Sequence, residues 1–209
     1  FWCGPPLAVF DDTRAAEIAA AGFHVIGPPC EGKLTPQANQ RSLDIAARHG
    51  LQMWVADHRF GEHATTRPQW EDDLAHAVED YRDHPALAGY FIDDEPTASE
   101  FDTVARIATA LQQHDPSPLR YVNLLPQYID TEYLGTASYH DYVEQFITTV
   151  KPQILSYDYY PFKEGEDRPS FFENLTTIRT LARQYNLPFM LILQAMPHLS
   201  YRDPCLLYT

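Results

Sequence analysis

Short apolar segments alternate with longer, helix-like segments along nearly the whole chain, and this alternation limits the folds open to it. Each apolar segment is rich in β-branched or aromatic residues, and each segment between them has the apolar periodicity of an amphipathic helix. Strands that alternate with helices are typical of α/β proteins with a parallel sheet. The predicted strands cover residues 1–6, 23–29, 51–59, 87–92, 120–126, 154–162 and 189–194.

The number of repeated units favours one architecture within the α/β class. The sequence contains neither GxGxxG nor GxxxxGK[ST], so nothing indicates a nucleotide-binding doubly wound sheet. We therefore predict a (β/α)8 TIM barrel with seven strands visible. The eighth unit is expected to be missing, because such a barrel usually needs about 250 residues.

The last five residues, CLLYT (205–209), differ from the rest. A DNA string that encodes them resembles the end sequence of a common transposon-based sequencing adapter. We expect one partial barrel domain over residues 1–204 and a non-native tail over residues 205–209, with the native chain continuing in a longer parent gene.

Charge and hydropathy exclude some partners. The chain carries 29 acidic and 15 basic residues, for a formal net charge of -14, and its basic residues do not cluster. Nucleic acid and anionic membrane surfaces would be repelled. No apolar stretch approaches the eighteen or so residues of a membrane helix, so no membrane span is predicted. Three cysteines leave the redox compartment open. The oligomeric state is not predicted. A secreted or periplasmic location is favoured if an upstream signal peptide was lost.

Polar side chains follow most of the predicted strands, at the end where the chemistry of such barrels takes place. The fourth predicted strand ends in three consecutive acids, Asp93, Asp94 and Glu95, followed by Pro96. A single acid in a loop is usually only solvated, but here carboxylates, amides and tyrosines recur after most strands. The other strand-end residues are Glu31, Asp57, His58, Arg59, Asn123, Tyr157, Asp158, Tyr159, Tyr160, Gln194 and, further on, His198.

The stretch HPALAGYFIDDEP (84–96) resembles the fourth-strand motif of the clan A glycoside hydrolases. That motif has Asn-Glu-Pro where this chain has Asp94-Glu95-Pro96. The similarity continues through YVNLLP (121–126) and ILSYDYYPF (154–162), and is greatest to beta-galactosidase-like members. The resemblance implies a carbohydrate substrate, no cofactor, no metal, and Glu95 as the catalytic general acid/base.

Glycoside hydrolysis requires a second carboxylate, about 5 Å from the first for retention and roughly 6.5 to 9.5 Å away for inversion. We expect negative charge on Asp93 and Asp94 to help keep Glu95 protonated. Strand alternation predicts that Asp94 points away from its two neighbours.

The chain departs from clan A at the seventh predicted strand, where Gln194 stands in place of the nucleophilic Glu. Three explanations stay open: Asp158 is the second carboxylate, that carboxylate lies in the missing part, or the chain does not hydrolyse anything. A minor alternative is a chitinase-like barrel that uses the acetamido group of its substrate, suggested by Asp93, Glu95 and Asp158. The full DxxDxDxE pattern is absent because Phe91 occupies its second Asp position.

We therefore predict a glycoside hydrolase of oligo- or polysaccharides with Glu95 and Asp158 as catalytic residues. The alternative is a non-catalytic carbohydrate-binding barrel or an inactive fragment. An Asp57–Arg59 pair could equally serve only to tie down a loop, and the histidines show no metal-ligand spacing. The predicted substrate-binding residues are Glu31, His58, Arg59, Asp94, Asn123, Tyr157, Tyr159, Gln194 and His198.

Overall fold

The computed structural model describes residues 1–61, 63–163 and 166–194. The chain forms two compact units. The first comprises Phe1–Asp93 and Glu100–Val122, and the second comprises Asp94–Ser99 and the chain from Asn123 onward. The predicted tail at 205–209 and the predicted substrate-binding residue His198 lie outside the described residues.

The first unit contains a four-stranded sheet in the order β1-β2-β3-β4, in which the β1–β2 and β2–β3 pairs are parallel. Four α-helices separate or precede these strands along the chain. The strands are β1 (Val25–Ile26), β2 (Gln52–Ala56), β3 (Leu87–Asp94) and β4 (Leu119–Asn123), and the helices are α1 (Asp12–Ala20), α2 (Pro36–Arg48), α3 (Trp70–Tyr81) and α4 (Phe101–His114).

Helix positions in this unit follow from periodicity and capping. Thr35 accepts a hydrogen bond from the Ala38 amide, and Pro36 occupies the first turn of α2, where its missing N–H group is not needed. The predicted apolar face of α3 is confirmed, because Trp70, Leu74, Val78 and Tyr81 are all buried.

β3 and β4 approach closely at Gly89, where an added Cβ would lie 2.2 Å from the Leu119 carbonyl oxygen.

The first predicted strand, residues 1–6, is not a strand in the structure. Only a single parallel bridge joins Gly4 to Pro29. Pro5 and Pro6 have no N–H group to donate to a ladder, so beyond Gly4 the pairing continues only as a separate hydrogen bond from the Leu7 amide to the Glu31 carbonyl oxygen at 3.0 Å. Cys3 and Cys30 form a disulfide at this bridge, with their Cα atoms 5.6 Å apart.

The second unit contains a parallel pair of strands, β5 with β8, and a small antiparallel hairpin, β6 with β7. Leu124 forms one parallel bridge to Tyr157 of β5. The strands are β5 (Leu155–Tyr159), β6 (Phe162–Lys163), β7 (Glu166–Asp167) and β8 (Phe189–Leu193), and the helices are α5 (Thr131–Leu134), α6 (Tyr139–Val150) and α7 (Phe171–Gln184).

The α/β class is confirmed, whereas a sheet of seven strands is not observed. Apart from the β6–β7 hairpin, the strands of the described residues form one sheet of four strands and one of two. The hairpin and α5 were not predicted, because two or four residues are too few to show a period. Among the described helices, none is both long enough and apolar enough to cross a membrane.

Candidate active site

A group of polar side chains lies within the second unit, where the chain leaves β3, β4 and β5. Glu95 directly follows β3 and has a φ of 60°, in the left-handed region that non-glycine residues seldom adopt. Its amide donates to the carbonyl oxygen of Asn123 at 2.8 Å. The next carbonyl, that of Pro96, accepts a hydrogen bond from the Tyr142 hydroxyl at 2.7 Å. These two bonds hold a backbone conformation of the strained kind that concentrates at functional sites.

Strand alternation predicts that Asp94 points away from Asp93 and Glu95. Asp93 is buried and Asp94 is exposed, which agrees with alternation for that pair. The strand ends at Asp94, and Glu95 follows in the left-handed region. The charge of Asp94 acts on Glu95, and the relative direction of these two side chains stays a prediction.

Glu95 and Asp158 form a side-chain hydrogen bond. Two carboxyl groups can share such a bond only when one of them carries a proton. Burial, the charge of Asp158, the charge of Asp94 and the hydrogen bond itself raise the pKa of Glu95 to about 8. These effects favour the protonated form of Glu95.

Asn123 connects the carboxyl groups. Its Nδ2 donates to Asp158 Oδ1 at 3.1 Å, and its side chain also hydrogen-bonds Asp94. On the other side, its Oδ1 accepts from the Ser156 hydroxyl at 3.3 Å. Asp94 as a whole residue is exposed, but its carboxyl group is partly desolvated by the surrounding protein. This desolvation and the charge of Asp158 raise the pKa of Asp94 to about 6, whereas the hydrogen bond from Asn123 lowers it.

Two tyrosines and an arginine lie next to this group. The Tyr160 hydroxyl hydrogen-bonds Asp158, and burial together with that charge raises the pKa of Tyr160. The Arg168 guanidinium lies 3.6 Å from the centre of the Tyr128 ring and donates to the Tyr160 carbonyl oxygen at 3.1 Å. Burial and the charge of Asp158 raise the pKa of Tyr128 to about 12.

Ser156, Tyr128 and Arg168 were not among the predicted site residues. Ser156 lies inside a predicted strand, and period-2 alternation from Asp158 could have identified it. Tyr128 and Arg168 come from loops, for which the sequence contains no comparable signal.

Tyr157 and Tyr159 lie on the opposite face of β5 from Asp158. Both side chains are fully buried. The Tyr159 hydroxyl pairs with Ser170 Oγ at 2.7 Å, and its ring contacts Phe171. The Tyr157 hydroxyl has no hydrogen-bond partner among the described residues. The structure therefore does not bring these two predicted substrate-binding residues to the acidic group.

Gln194 follows β8 and contacts backbone atoms. Its Oε1 accepts from the Phe162 amide, and its Nε2 donates to the Phe162 carbonyl oxygen, both at 2.8 Å. The side-chain amide of Gln194 thereby bonds both backbone groups of Phe162, the first residue of β6, as a neighbouring strand would.

Glu31, His58 and Arg59 belong to the first unit. Glu31 is exposed. Arg59 makes a two-point contact with Asp57, with its closest distance 2.7 Å, and reaches Asp80 at 2.8 Å. Burial alone would raise the pKa of Asp57, but hydrogen bonds from Arg59 and Tyr81 lower it overall. His58 is largely exposed, 3.3 Å from Asp57. Arg59 thus holds its own loop in place through Asp57 and Asp80. This is one of the two roles predicted for the Asp57–Arg59 pair.

Metal ligation finds no support in the described part of the chain. Within it, no three His, Cys, Asp or Glu side chains are grouped so that they could hold an ion.

Comparisons with known proteins bear on the fold. No protein-family profile matches the chain. No curated protein sequence matches it either. Solved structures do match: a GH2 beta-galacturonidase from Eisenbergiella tayi has a TM-score of 0.56 at 16% identity, with 92% of this chain and 33% of that chain covered. The chain is structurally similar to glycoside hydrolases.

Two further structures agree with that similarity. The beta-mannanase of the blue mussel Mytilus edulis has a TM-score of 0.56 at 13% identity, over 87% of this chain and 69% of that one. The beta-glucuronidase of Bacteroides uniformis has a TM-score of 0.54 at 14% identity, over 86% and 22%. The chain thus spans only about a third of the length of the beta-galacturonidase and less of the beta-glucuronidase. At these identities the similarity is one of fold alone.

Proposed function

We propose that this chain is the catalytic part of a glycoside hydrolase that cleaves O-glycosidic bonds of oligo- or polysaccharides. The observation that carries the proposal is the hydrogen-bonded pair of Glu95 and Asp158. A general acid must still hold its proton at the working pH, and a raised pKa with a neighbouring carboxylate gives Glu95 that property. The similarity of the fold to glycoside hydrolases supports the same reaction class.

In this proposal Glu95 donates its proton to the glycosidic oxygen while Asp158 attacks the anomeric carbon. The bond to the leaving group breaks, the leaving group departs as an alcohol, and a glycosyl ester forms on Asp158. Glu95, now ionised, takes a proton from water, which hydrolyses that ester and restores both groups. Hydrogen-bonded carboxyl oxygens lie about 2.5–3.0 Å apart, so the pair must separate to admit a sugar. The retaining separation of about 5–5.5 Å is nearer than the inverting one, and we propose retention.

For the fold we propose a (β/α)8 barrel that residues 1–204 form in part. Among the described strands β8 pairs only with β5, and Phe189 and Leu193 at its ends are exposed. A longer chain from the parent gene should protect the β8 amides from hydrogen exchange better than the 209-residue chain does. Equal protection in both would contradict the proposal.

The test of function is hydrolysis of a panel of aryl glycosides by the wild type, Glu95→Gln and Glu79→Gln. Glu79 is exposed on α3, so its variant makes the same chemical change away from the site. We expect Glu95→Gln to lower kcat/KM by about 10²–10⁴-fold, and Glu79→Gln to leave it unchanged. The loss should be small for dinitrophenyl glycosides, whose leaving group needs no proton. An equal rate in Glu95→Gln with phenyl glycosides would remove Glu95 from the mechanism.

A carbohydrate-binding barrel without catalysis is the second candidate. It is favoured by Gln194, whose amide groups are both engaged with the Phe162 backbone where clan A enzymes have their nucleophile. If no glycoside is hydrolysed, titration calorimetry with oligosaccharides decides the matter. Saturable binding without turnover would support this candidate.

A further inference from the structure

We infer that Asn123 is a positioning residue that keeps Asp94 and Asp158 ionised and thereby confines the proton of the acidic group to Glu95. The sequence suggested that Asn123 binds substrate hydroxyls, whereas its contacts assign it to the enzyme's own carboxyl groups. This inference deepens the proposed function and rests on it for its catalytic meaning.

The orientation of the Asn123 amide follows from its neighbours. Its Nδ2 has two N–H groups, and its side chain hydrogen-bonds two carboxyl groups, those of Asp158 and Asp94. Its Oδ1 faces the hydroxyl of Ser156. A flipped amide would place a carbonyl oxygen against two carboxylates, which repel it. Only one orientation therefore satisfies the amide.

The occupied contacts leave Asn123 unsuited to binding a sugar. It is only 2% exposed, and both ends of its amide already have partners within the protein. Replacing those partners by a substrate hydroxyl would leave a carboxylate without its donor in a largely dehydrated place.

Hydrogen-bond donors are distributed unequally over the acidic group. Asp158 accepts from Asn123, from the Tyr160 hydroxyl and from Glu95. The side-chain hydrogen bond of Glu95 is the one to Asp158. Donors stabilise the charged form of a carboxyl group, so Asp158 is the carboxylate and Glu95 the acid. The raised pKa of Glu95 agrees with this distribution.

Several charged or titratable groups among the described residues act on the acidic group, and Tyr139 interacts with the charge of Asp158. Asp94 and Asp158 act on Glu95. Tyr128 and Tyr160 border Asp158, and Arg168 stacks on Tyr128. Removal of the Asn123 N–H donors should therefore affect the charged forms of Asp94 and Asp158 before those of any other group.

The experiment is a carboxyl 13C NMR titration of the full 209-residue chain, as wild type, Asn123→Ala, Asn123→Leu and Ser156→Ala, with resonances assigned by Asp94→Asn, Glu95→Gln and Asp158→Asn. We expect the titration midpoint of Asp94 to move up by about one pH unit or more in Asn123→Ala, because its charged form loses a donor. Ser156→Ala keeps both N–H donors and should leave the midpoint in place. Asn123→Leu keeps a similar side-chain volume and adds no charge, so it gives the same reading if the alanine variant does not fold.

Unmoved Asp94 midpoints in both Asn123 variants would overturn the inference. If the chain hydrolyses a glycoside, the acid limb of the kcat/KM profile should move up with them in Asn123→Ala, whereas a merely structural role would lower kcat/KM without moving the limb. Absence of hydrolysis together with the expected midpoints would reject the proposed function and leave the positioning role of Asn123 intact.

Discussion

The side-chain amide of Gln194 hydrogen-bonds both backbone groups of Phe162, its Oε1 to the amide and its Nε2 to the carbonyl oxygen, each at 2.8 Å. The glutamine thus fixes the segment that leaves β5 and enters the small hairpin. This hairpin is followed by Arg168, whose guanidinium stacks on Tyr128. Gln194, which the resemblance to clan A places at the position of a nucleophile, therefore holds the loop.

A Gln194→Glu variant should not acquire hydrolytic activity. Its new carboxylate would face the Phe162 carbonyl oxygen without a donor, and we expect the free energy of unfolding to fall by about 1–3 kcal/mol. Urea denaturation measures that loss, with Gln112→Glu on the exposed face of α4 as a control that should be nearly neutral. A gain in glycosidase rate would show that residue 194 reaches the substrate and would contradict this role.

The pKa of Glu95 predicts how stability varies with pH. It is raised from its ordinary 4.5 to about 8, so between these values the folded chain holds a proton that the unfolded chain has lost. The corresponding stabilisation is complete below about pH 4.5 and disappears as pH rises through about 8. Glu95→Gln lacks this dependence, so relative to the wild type it should become more stable from about pH 5 to about pH 9. Urea midpoints for both chains that change in parallel would contradict the prediction.

Much of the fold was predictable because long segments repeat their apolar pattern. α3 and α4 show one buried face, and all residues of β5 are buried. The failures are short or depend on distant residues. Two consecutive prolines interrupt the backbone pairing of residues 1–6, which consists of one isolated bridge and single hydrogen bonds. The Cys3–Cys30 disulfide becomes evident only when two remote segments are placed together.

The acidic group was predictable in part for a similar reason. Parallel strands align their carboxyl ends, so Asn123 at the end of β4 and Asp158 within β5 come together. The placement of Tyr157 and Tyr159 away from Asp158 follows from alternation, which the strand-end argument left out. The left-handed backbone of Glu95 could not be predicted, since it depends on its amide bond to Asn123 and on the hydroxyl that holds Pro96.

Asn174 lies in an Asn-Leu-Thr triplet that matches a glycosylation site, but the residue is fully buried. Its Oδ1 accepts from the Gln127 amide at 2.7 Å, and its Nδ2 donates to the Tyr139 hydroxyl at 3.3 Å. Asn174→Ala should lower the free energy of unfolding by about 1–3 kcal/mol, because a buried amide and a buried hydroxyl lose partners.

Thr176→Ala removes the same triplet while leaving Asn174 in place, so it is the matched control. Thr176 is on the surface of α7, and its substitution should change stability by no more than about 0.5 kcal/mol. Thermal melts of both variants give the comparison. A glycan attached to Asn174 in the folded protein, or equal losses in the two variants, would contradict the buried role.

The Cys3–Cys30 disulfide should stabilise the first unit. It closes a loop with a sequence separation of 27, for which chain entropy predicts about 3–4 kcal/mol. The disulfide also ties the proline-rich start of the chain to the segment after β1, beside the backbone hydrogen bonds that Gly4 forms with Pro28 and Cys30. Cys30→Ser should therefore lower Tm, and a reductant should lower the Tm of the wild type but not that of the variant. Cys205→Ser should keep the wild-type response to reductant, because the remaining pair still forms. A Tm that changes neither with reductant nor in Cys30→Ser would show that the disulfide does not contribute to stability.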